Sequence, residues 1–135
     1  MTTTVKPFGS IERAVLALFE RDYAPLDGHP GRVGGDLPGA LTDLYVRIDR
    51  VSGRADRFEG DFVLDIECFH PSYEEAENAS FALEALLLGY PHVVEVNGRR
   101  VVLDEVQQNQ GPSETFWDDD SVHRLLATYV ITARR

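Results

Sequence analysis

The sequence predicts an α+β fold: an antiparallel or mixed sheet of about five strands with two helices packed on one face, in the order α-β-β-α-β-β-β. Three observations predict it. Several segments alternate Val, Ile, Leu or Phe with polar residues, the mark of strands buried on one side only. Two other segments repeat apolar residues three and four apart, the mark of helices with one buried stripe. No Cys or His pattern offers a metal or disulfide staple in place of a core. A sheet with one apolar face needs a cover on that face, and two helices supply it. At 135 residues the chain has the length of a single domain, 1–135, and such a length buries enough surface to fold unaided.

Each element follows in order. Ser10 is placed to cap a helix, with Glu12 in its first turn, and Ile11, Ala14, Val15, Leu18 and Phe19 recur at helical spacing. This first helix runs from about Ile11 to Asp22, and Tyr23-Ala24-Pro25 ends it, since proline disfavours helix in the residue before it. A long Gly/Pro-rich loop, 24–40, comes next. Its Gly31-Arg32-Val33-Gly34-Gly35 lacks both the spacing of a phosphate-binding loop and a strand before it. Loops this long tend to carry function.

Leu44, Val46 and Ile48 alternate with Arg47 and Asp49, predicting a strand to Val51, and Ser52-Gly53 signals a turn. The next strand places Phe62, Leu64, Ile66 and Cys68 on one face and Asp61, Asp65 and Glu67 on the solvent face, with Asp49 nearby if the two strands pair. His70-Pro71 stops that strand. Ser72 and Glu75 have the spacing of a capping box, in which each side chain satisfies a free backbone N–H of the helix start. Ala76, Ala79, Leu83, Leu86 and Leu87 then form a stripe over a second helix, about Tyr73 to Leu88, closed by Gly89. Val93 to Val96, Asn97-Gly98 and Arg99 to Val106 read as a hairpin, Asn-Gly being the strongest short signal for one. Residues 107–120 read as a polar loop around Gly111-Pro112. The last strand, His123 to Ala133, puts His123, Leu125, Ala127, Tyr129, Ile131 and Ala133 on one face and Arg124, Thr128 and Thr132 on the other.

Charge and composition narrow the function. A net charge of −10 repels phosphate, and the only basic clusters are the short pairs Arg99-Arg100 and Arg134-Arg135, so a tight grip on nucleic acid is not expected. The N-terminus shows no secretory leader and no segment suits a membrane span. Catalysis needs an acid, base or nucleophile brought together with a tuned pKa. The histidines His29, His70, His92 and His123 form no metal-ligating pattern, no serine sits in a nucleophile elbow, and Cys68 belongs to the buried row of its strand rather than to a dyad with His70. No cofactor or metal is expected, and the chain reads as not an enzyme; the acidic strand face is its only candidate for a cation site. The candidate residues are instead those of an interface. Arg32, Arg54 and Arg57 suit charge pairing across a contact, the row Asp61, Asp65, Glu67 suits a basic partner, and Phe116-Trp117, followed by Asp118-Asp119, either folds back on the core or anchors a partner.

These features, taken together, resemble a family. A strand ending Asp65-Ile66-Glu67-Cys68-Phe69 is followed by a Glu- and Ala-rich helix, Glu74 to Leu88. A hairpin with a Val-rich return strand, a Gly111-Pro112 segment, Phe116-Trp117-Asp118-Asp119 and a last strand ending Tyr129-Val130-Ile131-Thr132-Ala133-Arg134 complete the pattern. It is similar to the tail terminator proteins of long-tailed bacteriophages over roughly Leu44 to Arg135, and the loop 24–40 has no counterpart in it. The resemblance implies a structural virion protein of the tail or neck, assembled in the host cytoplasm. It implies a homohexameric ring on the tail tube that stops tube polymerisation and offers a surface to the head completion (stopper) protein. The partners it implies are other copies, the major tail tube protein and the stopper, with DNA only as cargo passing through the channel. Two alternatives stay open at this level: another neck or head completion protein, and a small non-viral binding or adaptor domain.

Overall fold

The computed structural model describes residues 10–23, 33–35, 43–53, 60–117 and 121–134. Within these, the chain runs α1 (Ser10–Asp22), β1 (Val33–Gly34), β2 (Tyr45–Ser52), β3 (Gly60–His70), α2 (Tyr73–Leu88), β4 (His92–Val96), β5 (Arg99–Thr115) and β6 (His123–Arg134). The α+β class and the order of the main elements are those the sequence predicts. The sheet order is β1-β2-β3-β6-β5-β4. Every neighbouring pair from β2 to β4 is antiparallel. The two-residue β1, inside what reads as the 24–40 loop, adds a short parallel edge on β2; two residues are too few for alternation to reveal. The last strand in sequence, β6, is inserted in the middle of the sheet.

The apolar stripes do what their spacing dictates. Ile11, Ala14, Val15, Leu18 and Phe19 of α1 are all fully buried. From α2, Ala76, Ala79, Ser80, Leu83 and Leu87 face the sheet, and the small side chains at 76, 79 and 80 let the helix lie close to it. α2 crosses β3, β6 and β5, while α1 packs against both β2 and β4. These two strands lie towards opposite edges, so the sheet curls around α1. Phe62, Leu64, Ile66, Cys68, Ala127, Tyr129 and Ile131 from the central strands complete the core. A polar bridge ties α2 to the sheet at its rim: Gln108 Nε2 donates to Glu84 Oε2 at 2.7 Å, and Gln108 also bonds the buried Tyr129 hydroxyl, whose ionisation burial pushes well above its ordinary range.

Several local expectations are corrected. Only half of the capping box forms: Ser72 Oγ accepts from Glu75 N at 3.4 Å, but Ser72 N donates to His70 Nδ1 at 2.8 Å rather than to Glu75. The segment 107–120 is not a loop over most of its length, because β5 continues to Thr115. It pairs with β6 through register shifts at Leu103/Glu105, Gln108/Gln110 and Gln110/Ser113. Each extra residue at such a bulge breaks the period-two pattern by which strands are read. Glu12, expected as a simple first-turn acid, is 3% exposed and faces Arg50 Nε at 3.7 Å. The Asn97-Gly98 turn forms as its sequence requires, with positive φ at both residues, 51° and 78°.

Candidate functional site

Among the described elements, the helices cover one face of the sheet and none covers the other, the open face. In β3 the open-face row is Asp61, Val63, Asp65, Glu67 and Phe69, because successive residues point to opposite sides. The registers set its neighbours: Arg47, Asp49 and Tyr45 of β2 lie across from Glu67, Asp65 and Phe69, and Thr132, Thr128, Leu126 and Arg124 of β6 lie across from Asp61, Asp65, Glu67 and Phe69.

Glu67 is the centre of this face. The alternation puts it among solvent-exposed residues, and the structure corrects that: Glu67 is 2% exposed. Arg47 grips it with two bonds, Nε to Oε1 at 2.7 Å and Nη2 to Oε2 at 2.9 Å. Arg124 reaches across from β6, its Nε donating to Oε2 at 2.6 Å. A buried carboxylate is tolerated because both oxygens are held by charged donors. The same contact holds Arg47 above its usual guanidinium value, the Glu67 hydrogen bond outweighing the opposing effect of burial.

Aromatic rings enclose this triad. Phe69, fully buried, lies under the Arg47 guanidinium, 5.7 Å from the ring centroid. Trp117 meets Phe69 edge to face at 4.9 Å, and Arg124 stands 5.7 Å over the Trp117 ring. Tyr45 and Val122 complete this second apolar cluster. The choice left open for Phe116-Trp117 therefore divides between the two residues. Trp117 folds back onto the open face. Phe116 points out, 81% exposed, with its backbone oxygen accepting from Arg124 Nη1 at 3.3 Å.

Below the triad two of the carboxylates are paired to threonines. Thr128 Oγ1 donates to Asp65 Oδ1 and Thr132 Oγ1 to Asp61 Oδ1, each at 2.7 Å. The carboxylates are spread along the strands, and no three metal-ligating side chains converge among the described residues. Cys68 sits on the helix-covered side, fully buried beside Ser80, and burial pushes its thiol up to about 12; a neutral, inaccessible thiol is a packing residue and not a nucleophile. His70 is held between Ser72 N and the Asp43 carboxylate, 3.7 Å from its Nε2.

Of the interface residues singled out from sequence, Asp61, Asp65, Glu67, Phe116 and Trp117 thus share one face and its upper rim. Arg32, Arg54, Arg57, Asp118 and Asp119 lie outside the described residues. The sequence reading missed Arg47 and Arg124. The signal for Arg47 was available: pairing the two alternating strands antiparallel sets Arg47 opposite Glu67. Arg124 was not findable that way, because nothing in the sequence says that the last strand lies beside β3.

No family model matches this sequence, and no curated protein matches it. Solved structures do match its fold. A chain in the virion of a native gene transfer agent (GTA) particle superposes with a TM-score of 0.63 at 18% identity, over 91% of this chain and 93% of that one. A second structure, which carries no functional name, superposes with a TM-score of 0.52 at 17% identity, over 94% of this chain and 98% of that one. Both likenesses run the length of both chains, and the fold is therefore one that a virion component uses.

Proposed function

We propose that the chain is a structural virion protein, the tail terminator of a phage-type particle: a ring that caps the tail tube, stops its polymerisation and presents a surface for head attachment. The observation that carries this reading is the end-to-end fold likeness to a chain of a GTA virion. The chemistry of the molecule agrees with it. The open sheet face has its buried charge paired and Asp61 and Asp65 held by threonines, which suits a surface that contacts protein or lines a passage rather than one that turns over a substrate. A net charge of −10 lets DNA pass without sticking, since like charge repels phosphate. Phe116, an aromatic side chain in the open, supplies an anchor of the type found at interface hot spots. In this reading the partners are other copies in a hexameric ring, the tail tube protein and the head completion protein.

The test is to measure the mass of the purified protein by light scattering, image it by negative stain, and add it to polymerising tail tubes. A ring of about six copies that halts tube growth supports the reading. Tubes that grow unchecked in its presence sink it, and binding to the head-side components alone would assign it to another position in the neck.

A further inference from the structure

We propose that the tip of the β4–β5 hairpin of one copy docks on the outer surface of α2 in a second copy, and that this heterologous contact is what closes the assembly. The inference deepens the ring reading above and rests on it.

The first observation is where the unpaired cations are. Among the described arginines, Arg21, Arg47, Arg50, Arg124 and Arg134 each face a carboxylate, and Arg13 also has an interaction. Arg99 and Arg100 have none. Their cross-strand partners are Val96 and Glu95, and among the described residues no carboxylate oxygen lies within 4.0 Å of either guanidinium. Both are exposed, as are Asn97 and Gly98. The last β5–β6 pair is Val102 with Arg134, so the exposed residues 97–100 lie past the end of the central strands. In a chain of net charge −10, two free guanidiniums on a projecting tip call for an acidic surface.

The second observation is α2. It carries four glutamates, Glu74, Glu75, Glu77 and Glu84, and no basic residue. Glu74 and Glu75 are exposed at its first turn; among the described residues neither carboxylate makes an ion pair or hydrogen bond, and the Glu75 charge is felt by the Tyr23 phenol. The outward stripe Glu74, Asn78, Phe81, Ala85, Leu88 runs its full length at helical spacing, with Phe81 48% and Leu88 39% exposed. An arginine side chain suits such a mixed stripe: its stem packs on apolar surface, its head stacks on an aromatic ring and pairs with a carboxylate.

The third observation separates the tip arginines from Glu74 and Glu75 within one chain. α2 begins beside the His70–His123 end of the sheet, where Tyr73 stacks on His123 at 5.6 Å. The hairpin tip projects from the opposite end, past Gly60 and Ala133. Complementary charges at opposite ends of one molecule join head to tail, and repetition of that contact gives a closed ring when the rotation allows.

Charge reversal with rescue tests the contact. The self-association of the full chain would be compared with R99E/R100E, with E74R/E75R and with all four changes together, at ~0.05 M and ~0.5 M salt, each variant checked by circular dichroism and thermal melting. The expected result is that each reversed side weakens self-association by roughly tenfold or more, that the combined variant recovers it, and that high salt weakens the wild-type assembly. E74Q/E75Q, which removes charge without placing arginine at a helix start, substitutes if E74R/E75R melts early. Unchanged assembly in both one-sided variants overturns the inference and leaves the ring reading standing, as does a combined variant no better than its parents. A wild-type chain that stays monomeric at low salt also overturns it; tube capping by that monomer would keep the terminator reading alive, and failure to cap would end both.

Discussion

On the face that α1 and α2 cover, β3 presents Phe62, Leu64, Ile66 and Cys68, none more than 3% exposed. One residue over, on the open face, the same strand presents Asp61, Asp65 and Glu67, each bonded to a named partner on a neighbouring strand. The first row is held by volume. Any side chain of the right size and apolarity will serve there. The second row is held by pairing, and an individual substitution there leaves an individual group without its partner. The covered face explains why the chain folds; the open face explains why it folds with a fixed surface, at the cost of burying one carboxylate and partly burying two guanidiniums.

The comparison is tested first where it predicts its largest effect. Leu64→Ala opens a cavity under the helices and should lower stability by about 3–4 kcal/mol, read by denaturant unfolding. Asp65→Ala, its immediate neighbour on the open face, should lower it by about 1 kcal/mol, the worth of one hydrogen bond from Thr128. Equal effects at 64 and 65 would mean that the two faces are not organised differently.

Glu67→Ala is the substitution most able to break the comparison. Though on the open face, it strips the shared partner from Arg47 and Arg124 and leaves two charged heads against Phe69 and Trp117. The expected loss is about 3 kcal/mol, discounted from a fully buried pair because each arginine keeps about a fifth to a quarter of its side chain in water. Arg47→Met should cost less than Glu67→Ala, since Arg124 still holds one carboxylate oxygen, Oε2, and keeps the charge paired. A loss under about 1 kcal/mol at Glu67 would show the triad to be a surface ornament like most exposed ion pairs.

How far the sequence discloses this arrangement depends on the range of the signal. Both helices, the Asn97-Gly98 turn and the buried rows of β3 and β6 follow from local spacing, because each element's own residues decide which side is apolar. The buried state of Glu67 does not. It depends on Arg124, fifty-seven residues away, and on β6 sitting between β3 and β5, which no local pattern encodes. The polar stretch after Val106 reads as loop because its bulges hide the alternation. Arg32, Arg54, Arg57, Asp118 and Asp119 fall outside the described residues; of the others, Glu67 and Trp117 are taken up by the triad and its rings, which leaves Asp61 and Phe116 exposed and Asp65 half-buried.

Two glycines sharpen the same contrast on a smaller scale. Both need positive φ, which costs any other residue about 1–2 kcal/mol. At Gly98 a Cβ would meet open space, whereas at Gly53 it would lie 2.6 Å from Phe62 Cδ1, a ring locked into the covered face. Gly98→Ala should therefore lower stability by about 1 kcal/mol and Gly53→Ala by about 2 kcal/mol or more, measured side by side by thermal melting. Equal losses would mean that Phe62 yields, and that the core near the β2–β3 connection is looser than its burial implies.

The smallest expected effect on stability separates folding from assembly. Phe116 is 81% exposed and its bond to the site is made by its backbone oxygen, so Phe116→Ala should leave the melting temperature within the range of neutral surface changes, about 0.5 kcal/mol in free energy. Trp117→Ala, in contrast, removes the edge-to-face contact with Phe69 and the surface under Arg124, and should cost about 2 kcal/mol. If Phe116 is an assembly anchor, Phe116→Ala should instead be lost from the assembled fraction in light scattering while its monomer stays as stable as the wild type. A Phe116→Ala chain that assembles normally would remove that residue from the interface and leave the hairpin and α2 as the surfaces to probe. A Phe116→Ala chain that melts early would show that the ring closes over the triad in solution. In that case both aromatic residues of the pair would belong to the open face rather than dividing between fold and contact.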